Sequence, residues 1–138
     1  MDSMYQTLQT ANAILEIKSA EETSFDEAPS GPKLTKGRFV LSYQGDLEGE
    51  GILEELKVHF SAKHAVMQGL QRFQGKLDGR TGSFVLKQAG RYVNGALSAK
   101  LALVPASATD GLKGLRGEMN LRSISPTQFA VTFNYHYA

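Results

Sequence analysis

One stretch decides the fold of this 138-residue chain, namely Phe129-Ala130-Val131-Thr132-Phe133-Asn134-Tyr135-His136-Tyr137. Large apolar or aromatic side chains occupy every second position, and smaller or polar ones lie between them. Because side chains alternate between the two faces of a strand, this spacing predicts a β-strand with one face in a core. The aromatic side chains of the segment are assigned to that core.

The same two-residue period recurs along the chain. It appears in Phe39–Tyr43, Gly51–Phe60 and Leu97–Leu103, and more weakly in Ala13–Ile17 and Glu118–Leu121. Turn signals typical of antiparallel neighbours separate these segments, at Gln44-Gly45-Asp46, Asp78-Gly79 and Val93-Asn94-Gly95. The turn at Asp78-Gly79 separates His64–Lys76 from Ser83–Tyr92, which predicts a hairpin. The total of about eight strands at hairpin spacing favours closure of the sheet. The sequence therefore predicts one all-β domain over residues 1–138, a single closed antiparallel barrel.

Three stretches lack this alternation. Residues 21–36 contain Ala28-Pro29-Ser30-Gly31-Pro32 and few large apolar side chains, which predicts a long surface loop after the first strand. Residues 105–117 predict a second loop. Residues 1–10 are polar, and both a short helix and a frayed end stay open for them.

Composition excludes several classes of function. Fifteen Lys and Arg are interspersed with fourteen Asp and Glu, unlike the clustered basic surface of a nucleic-acid-binding protein. Cysteine is absent, which removes disulfides and thiolate metal sites and favours the reducing cytosol. No apolar run approaches the roughly 18 residues of a membrane span. The histidines lack metal-ligand spacing, so we expect surface histidines, no metal and no cofactor.

Several motifs resemble an uncharacterised bacterial family of small proteins, a domain of unknown function. They are Gly45-Asp46-Leu47-Glu48-Gly49-Glu50, the run Gly69–Leu86, Phe25-Asp26-Glu27 and Gly114-Leu115-Arg116-Gly117. The resemblance covers Phe25–Tyr137. It implies a barrel similar to that of plant allene oxide cyclase, and it implies no mechanism, because the family has no established activity.

Two departures from the family pattern affect the expected chemistry. The loop Val104-Pro105-Ala106-Ser107-Ala108-Thr109-Asp110-Gly111 is less rich in Gly, Ser and Thr than its counterparts, which argues against an anion-binding backbone loop. Gln71 stands where the family often carries Glu, so a candidate general acid or base is missing. We assign no catalytic residue.

Strand parity predicts which polar side chains face the barrel interior. Glu54 and Glu50 share parity with Ile52, Leu56, Val58 and Phe60, which we expect to point inwards, with His59 on the outer face. Gln71 and Gln88 share parity with apolar neighbours on adjacent strands. The predicted interior set is Glu50, Glu54, Gln71, Gln88, Tyr92 and Tyr135. A carboxylate there would have a raised pKa. These groups either contact a ligand or hydrogen-bond one another in a filled core.

Three functions stay open at this point. The first is a non-enzymatic barrel that binds a small apolar or amphipathic ligand through Glu54, Gln71 and Gln88. The second is an isomerase or cyclase acting on an unsaturated, lipid-like substrate in the same cavity, with Glu54 as the proton-transferring group. The third is a structural module that forms homo-oligomers through apolar outer residues, namely Leu53, Val66 and Leu70. The sequence favours binding over catalysis.

Overall fold

A computed structural model describes residues 8–138, which form eight antiparallel strands that close into a barrel in sequence order. The strands are β1 (Gln9–Asp26), β2 (Lys33–Gly45), β3 (Leu47–Ser61), β4 (His64–Leu77), β5 (Arg80–Val93), β6 (Ala96–Leu103), β7 (Leu115–Ser123) and β8 (Gln128–Tyr137). A 3-10 turn, Asp110–Leu112, precedes β7. The predicted all-β barrel is confirmed. Within the described residues no helix has the length and apolarity to cross a membrane.

Tight hairpins join most neighbouring strands. Asp78 and Gly79 both have positive φ (50° and 79°), as do Asn94 and Gly95 (52° and 88°). Two consecutive positive φ values define the turn whose twist matches that of the flanking strands, and Asp-Gly and Asn-Gly favour it. The sequence signals at these two positions therefore correspond directly to the β4–β5 and β5–β6 connections.

The predicted loop over residues 21–36 is wrong, because most of it continues β1 and β2. Only residues 27–32 lie between these strands. β8 begins opposite Glu16, at Gln128, so the part of β1 from Lys18 to Asp26 pairs with β2 alone and projects beyond the barrel wall. Its side chains are exposed on both faces or nearly so, which explains why the sequence shows no alternation there. Of the residues predicted to be frayed or helical, 1–7 lie outside the described part, and Gln9 and Thr10 pair with β8.

Aromatic side chains fill the lower half of the barrel, the end at which β1 begins and β8 ends. Phe73, Phe84 and Phe133 are fully buried and stack in series, with ring centroids 4.9 and 5.9 Å apart. Tyr43 packs edge-on against Phe73. Leu112, from the 3-10 turn, is also fully buried and closes this end. Each such side chain contributes roughly 1.5–3 kcal/mol by burial, so the lower half is a packed core.

Candidate functional site

The upper half of the barrel contains a small cavity of about 80 Å³. Its apolar lining is Leu15, Ile17, Phe39, Leu41, Leu53, Leu97, Leu121 and Phe129, and its polar lining is Glu55, Lys57 and Gln88. The volume is well below the roughly 300–1,000 Å³ of sites that enclose drug-sized ligands. It corresponds to two or three water molecules at about 30 Å³ each. The cavity therefore has room for one short apolar group rather than a whole lipid chain.

A glutamine and a glutamate form the polar wall of this cavity. Gln88 Nε2 donates a hydrogen bond to Glu55 Oε2 at 3.2 Å, and both residues are buried (4 % and 5 % exposed). The other amide atom, Gln88 Oε1, is buried and has no hydrogen-bond partner among residues 8–138. A buried acceptor without a partner costs about 1–3 kcal/mol. Gln88, whose amide carries this unpartnered acceptor, thus lines the cavity beside a carboxyl group.

A charged network continues upwards from Glu55 towards solvent. Lys57 Nζ lies 3.0 Å from Glu22 Oε2 and 3.7 Å from Glu55 Oε1, so its closer partner is Glu22. Thr35 donates to Glu22 at 3.2 Å and lies 2.8 Å from His59 Nε2. Because these groups pair with one another, the inner wall can hold several charged side chains near the rim.

Glu55 is the buried titratable group of the site. Burial raises its pKa to about 7, and the nearby Lys57 ammonium opposes part of that increase. Since the pKa is close to neutrality, the carboxyl group can exist in either protonation state under ordinary conditions. Burial also lowers the pKa of His59, which favours its neutral form.

Gln71 lies between the cavity and the packed core, paired in register with the lining residue Leu53. It is fully buried, and the Tyr43 hydroxyl donates a 2.5 Å hydrogen bond to its Oε1. Gln71 Nε2 has no partner among the described residues. A side chain at Gly51 would collide with the Gln71 amide, so glycine makes room for this pair. Burial raises the pKa of Tyr43 well above its usual value, which keeps its hydroxyl protonated as a donor.

The predicted inward orientation of Glu54 and Glu50 is wrong. Both are exposed, and Glu54 forms an ion pair with Arg38 on the outer surface at 2.7 Å. Exposed pairs of this kind contribute about 0–1 kcal/mol. On β3 the carboxyl group that faces the interior is that of the neighbouring residue, Glu55.

The whole of β3 is inverted relative to the prediction. Ile52, Leu56, Val58 and Phe60 lie outside, whereas Leu53, Glu55, Lys57 and His59 lie inside. The register explains this, because Leu53 pairs with Phe39 and Gln71, which are both buried inner residues. Paired residues on neighbouring strands share a face. A count of apolar side chains is therefore misleading here, since the inner polar residues of β3, namely Glu55, Lys57 and His59, all have polar partners on other strands.

Four other candidate residues lie on the inner side of the barrel. Gln71, Gln88 and Tyr135 are buried and Tyr92 is half-buried. Gln88 lines the cavity, whereas Gln71 does not line it and contacts Tyr43 instead. Tyr135 belongs to the aromatic core, stacked 5.3 Å from Phe133. The structure therefore brings Gln88 to the cavity and leaves Tyr135 at the opposite end.

The outer surface corrects two further predictions. Leu53, expected outside, is inside, whereas Val66 and Leu70 are exposed as expected (37 % and 57 %). His59, expected outside, is half-buried on the inner wall. Among residues 8–138 no group of three or more His, Asp or Glu side chains could hold a metal ion.

Comparison with solved structures and sequence families places the barrel among proteins of unknown function. A DUF3224-family protein of unknown function from Shewanella oneidensis MR-1 is similar at a TM-score of 0.73 and 26 % identity. The match covers 96 % of this chain and 98 % of that one. A family model described as "Protein of unknown function (DUF3224)" matches residues 11–135. No curated protein matches significantly. The expected likeness to allene oxide cyclase stays a prediction.

Proposed function

The chain belongs to the DUF3224 family, and we propose that it binds a small amphipathic molecule at the upper end of its barrel. The observation that carries the proposal is an apolar cavity whose wall holds a buried, unpartnered acceptor, Gln88 Oε1. A ligand that places an apolar group in the cavity and a hydrogen-bond donor against Gln88 would remove that cost. Small-molecule sites commonly combine an apolar lining with a few polar groups in this way.

The small volume restricts the ligand. Only a short apolar group fits among Leu41, Leu53 and Leu121, so the rest of a larger molecule must extend past Lys57 into solvent. The aromatic core below Gln71 prevents deeper entry. The small volume supports binding of a short ligand, or of a longer one that inserts only one end. It argues against full enclosure of a lipid-like molecule.

Isobutanol is a suitable probe, because it joins a short branched apolar group to one hydroxyl donor. In methyl NMR titrations of the full chain, we expect shifts at Leu41, Leu53 and Leu121 and contacts from isobutanol to Phe129. Leu53→Phe fills the cavity and should abolish the shifts. Leu70→Phe makes the same change on the outer surface and should leave them intact.

Native mass spectrometry of protein purified from its own host provides a second measurement. A bound molecule that is detected on the wild type and on Leu70→Phe, and is absent from Leu53→Phe, would support the proposal. A folded wild-type protein that shows neither isobutanol contacts with Phe129 nor a retained mass would overturn it.

Glu55 favours a second candidate function, isomerisation by proton transfer. A pKa of about 7 suits a group that accepts and returns a proton near neutral pH. The carboxylate would take a proton from one carbon of an unsaturated substrate, whose double bond shifts as the electron pair moves, and return it to another carbon. Substrate and product are then isomers, without oxidation or reduction. Glu55 replaces Glu54 in this role.

Isomesityl oxide, a small β,γ-unsaturated ketone, tests this candidate. Wild-type protein should convert it to the conjugated ketone, with uptake of deuterium from heavy water followed by NMR. Glu55→Gln should abolish turnover and retain binding, whereas Glu54→Gln should change neither. The absence of turnover by the wild type, or an equal rate in Glu55→Gln, would refute isomerisation of this substrate class while leaving the binding proposal intact.

A further inference from the structure

Two residues of the cavity lining, Gln88 and Glu55, carry hydrogen-bond acceptors. Gln88 Oε1 has no partner in the described part of the chain, and the Glu55 carboxyl group receives only the Gln88 amide at hydrogen-bond distance. Lys57 is 3.7 Å from Glu55, too far for a good hydrogen bond. The neighbouring acceptors therefore select a ligand head that donates more than one hydrogen bond.

Charge around the cavity narrows the class of ligand further. The inner wall near Glu55 and at the rim above it carries Glu22 on β1, Lys33 and Thr35 on β2, Lys57 and His59 on β3, and Gln88 and Tyr92 on β5. The inner residues of β4 at this level, Ala65, Met67 and Gly69, carry no charge, and neither do Leu97 and Ala99 on β6. Lys57 neutralises Glu22, with which it pairs at 3.0 Å. An ionised Glu55 is thus left without a full counter-charge.

We infer that the ligand of this site is a small primary amine, whose ammonium group donates to Glu55 and Gln88 while its short apolar group fills the cavity. The inference rests on the proposed function and adds the chemical class. An ammonium group supplies three donors and one positive charge, which matches two acceptors and one uncompensated carboxylate. The apolar lining excludes larger or strongly hydrated cations, because the alkyl group must replace water there.

Binding of an amine should then depend on the protonation state of Glu55. An alkylammonium group has a pKa close to that of lysine, about 10.4, and stays charged at neutral pH. Glu55, with a pKa of about 7, is about one-tenth ionised near pH 6 and about nine-tenths ionised near pH 8. The affinity for isobutylamine should therefore increase about tenfold between these two pH values, and binding near pH 6 should release a proton.

Calorimetric and NMR titrations with isobutylamine and isobutanol test the inference, since the two probes share their apolar group. We expect the amine, and not the alcohol, to show the tenfold pH dependence. Glu55→Gln should remove the pH dependence and weaken amine binding near pH 8 about tenfold. Glu54→Gln, the same change on the exposed neighbouring residue, should behave as wild type.

The two probes also separate failure of the inference from failure of the proposed function. Isobutanol binding together with an isobutylamine affinity that is equal near pH 6 and pH 8 would overturn the amine assignment and leave the binding site intact. An amine affinity that Glu55→Gln leaves unchanged would overturn it as well. Failure of both probes to shift the cavity methyl groups would remove the inference and the proposed function together.

Discussion

The buried pair of Tyr43 and Gln71 gives the sharpest test of how this barrel is held together. Tyr43→Phe removes a hydroxyl that donates a 2.5 Å hydrogen bond to Gln71 Oε1. Gln71 Nε2 already lacks a partner among the described residues, so the variant leaves the whole amide unsatisfied inside the barrel. A buried polar group that loses its partner costs about 1–3 kcal/mol. For a domain of this size that corresponds to a decrease in Tm of roughly 3–5 °C per kcal/mol.

The double variant Tyr43→Phe/Gln71→Leu tests the physical origin of that loss. Gln71→Leu alone leaves the Tyr43 hydroxyl unpartnered but also removes the unsatisfied Nε2, so its cost should be smaller than that of Tyr43→Phe. Replacing both partners by apolar groups leaves nothing unsatisfied, and the double variant should be more stable than Tyr43→Phe. The expected coupling between the two sites is about 1–3 kcal/mol.

Urea unfolding of the four proteins, followed by circular dichroism, measures this cycle. The slope of the unfolding free energy against urea should be equal in all four, since no large surface changes. Losses that simply add in the double variant would refute the reasoning, because they would show that the hydrogen bond is not what links the two residues.

Three further predictions concern stability. The stabilising effect of neutral Glu55, on the order of 3 kcal/mol, is present below about pH 4.5 and is lost as the pH increases to about 7, because its pKa is higher in the folded than in the unfolded state. Urea unfolding should therefore show a free energy of unfolding that decreases with pH over this range in the wild type and not in Glu55→Gln. The same pH dependence in both proteins would contradict this prediction. Gly51→Ala should displace the Gln71 amide and lower the free energy of unfolding by about 1–2 kcal/mol, whereas an unchanged value would show that the amide moves freely. Leu112→Ala should cost about 2–5 kcal/mol, measured by thermal unfolding, and a loss below 1 kcal/mol, on the same scale, would show that the 3-10 turn does not close the core.

The barrel itself could be predicted from sequence because its strands are amphipathic and its turns carry Asp-Gly and Asn-Gly. β8 shows this best, since Phe129, Val131 and Phe133 are all buried in the observed register. The projecting part of β1 could not be recognised, because a strand exposed on both faces has no two-residue period. Its pairing with β2 comes from the hairpin and not from burial.

The prediction of the candidate site depended on placing the centre of the β2–β3 turn correctly to within one residue. If the β2–β3 turn were centred between Gly45 and Asp46, Tyr43 would pair with Glu48, and the even-numbered residues of β3 would face inwards. The turn is instead centred on Asp46, so Tyr43 pairs with Gly49 and Glu55 faces the interior. A shift of one residue exchanges the two faces of a strand. The apolar side chains of β3 do not indicate which face is inside, since the polar inner groups are stabilised by partners on other strands.

The aromatic core at the lower end also determines how bound molecules would exchange. Because Phe73, Phe84 and Phe133 fill the lower end, we expect molecules to reach the cavity from the upper rim. A second molecule then cannot enter from the filled end and displace a bound one, so the bound molecule must leave first. The rate of release should therefore be independent of competitor concentration, and the residence time becomes a property of the rim alone.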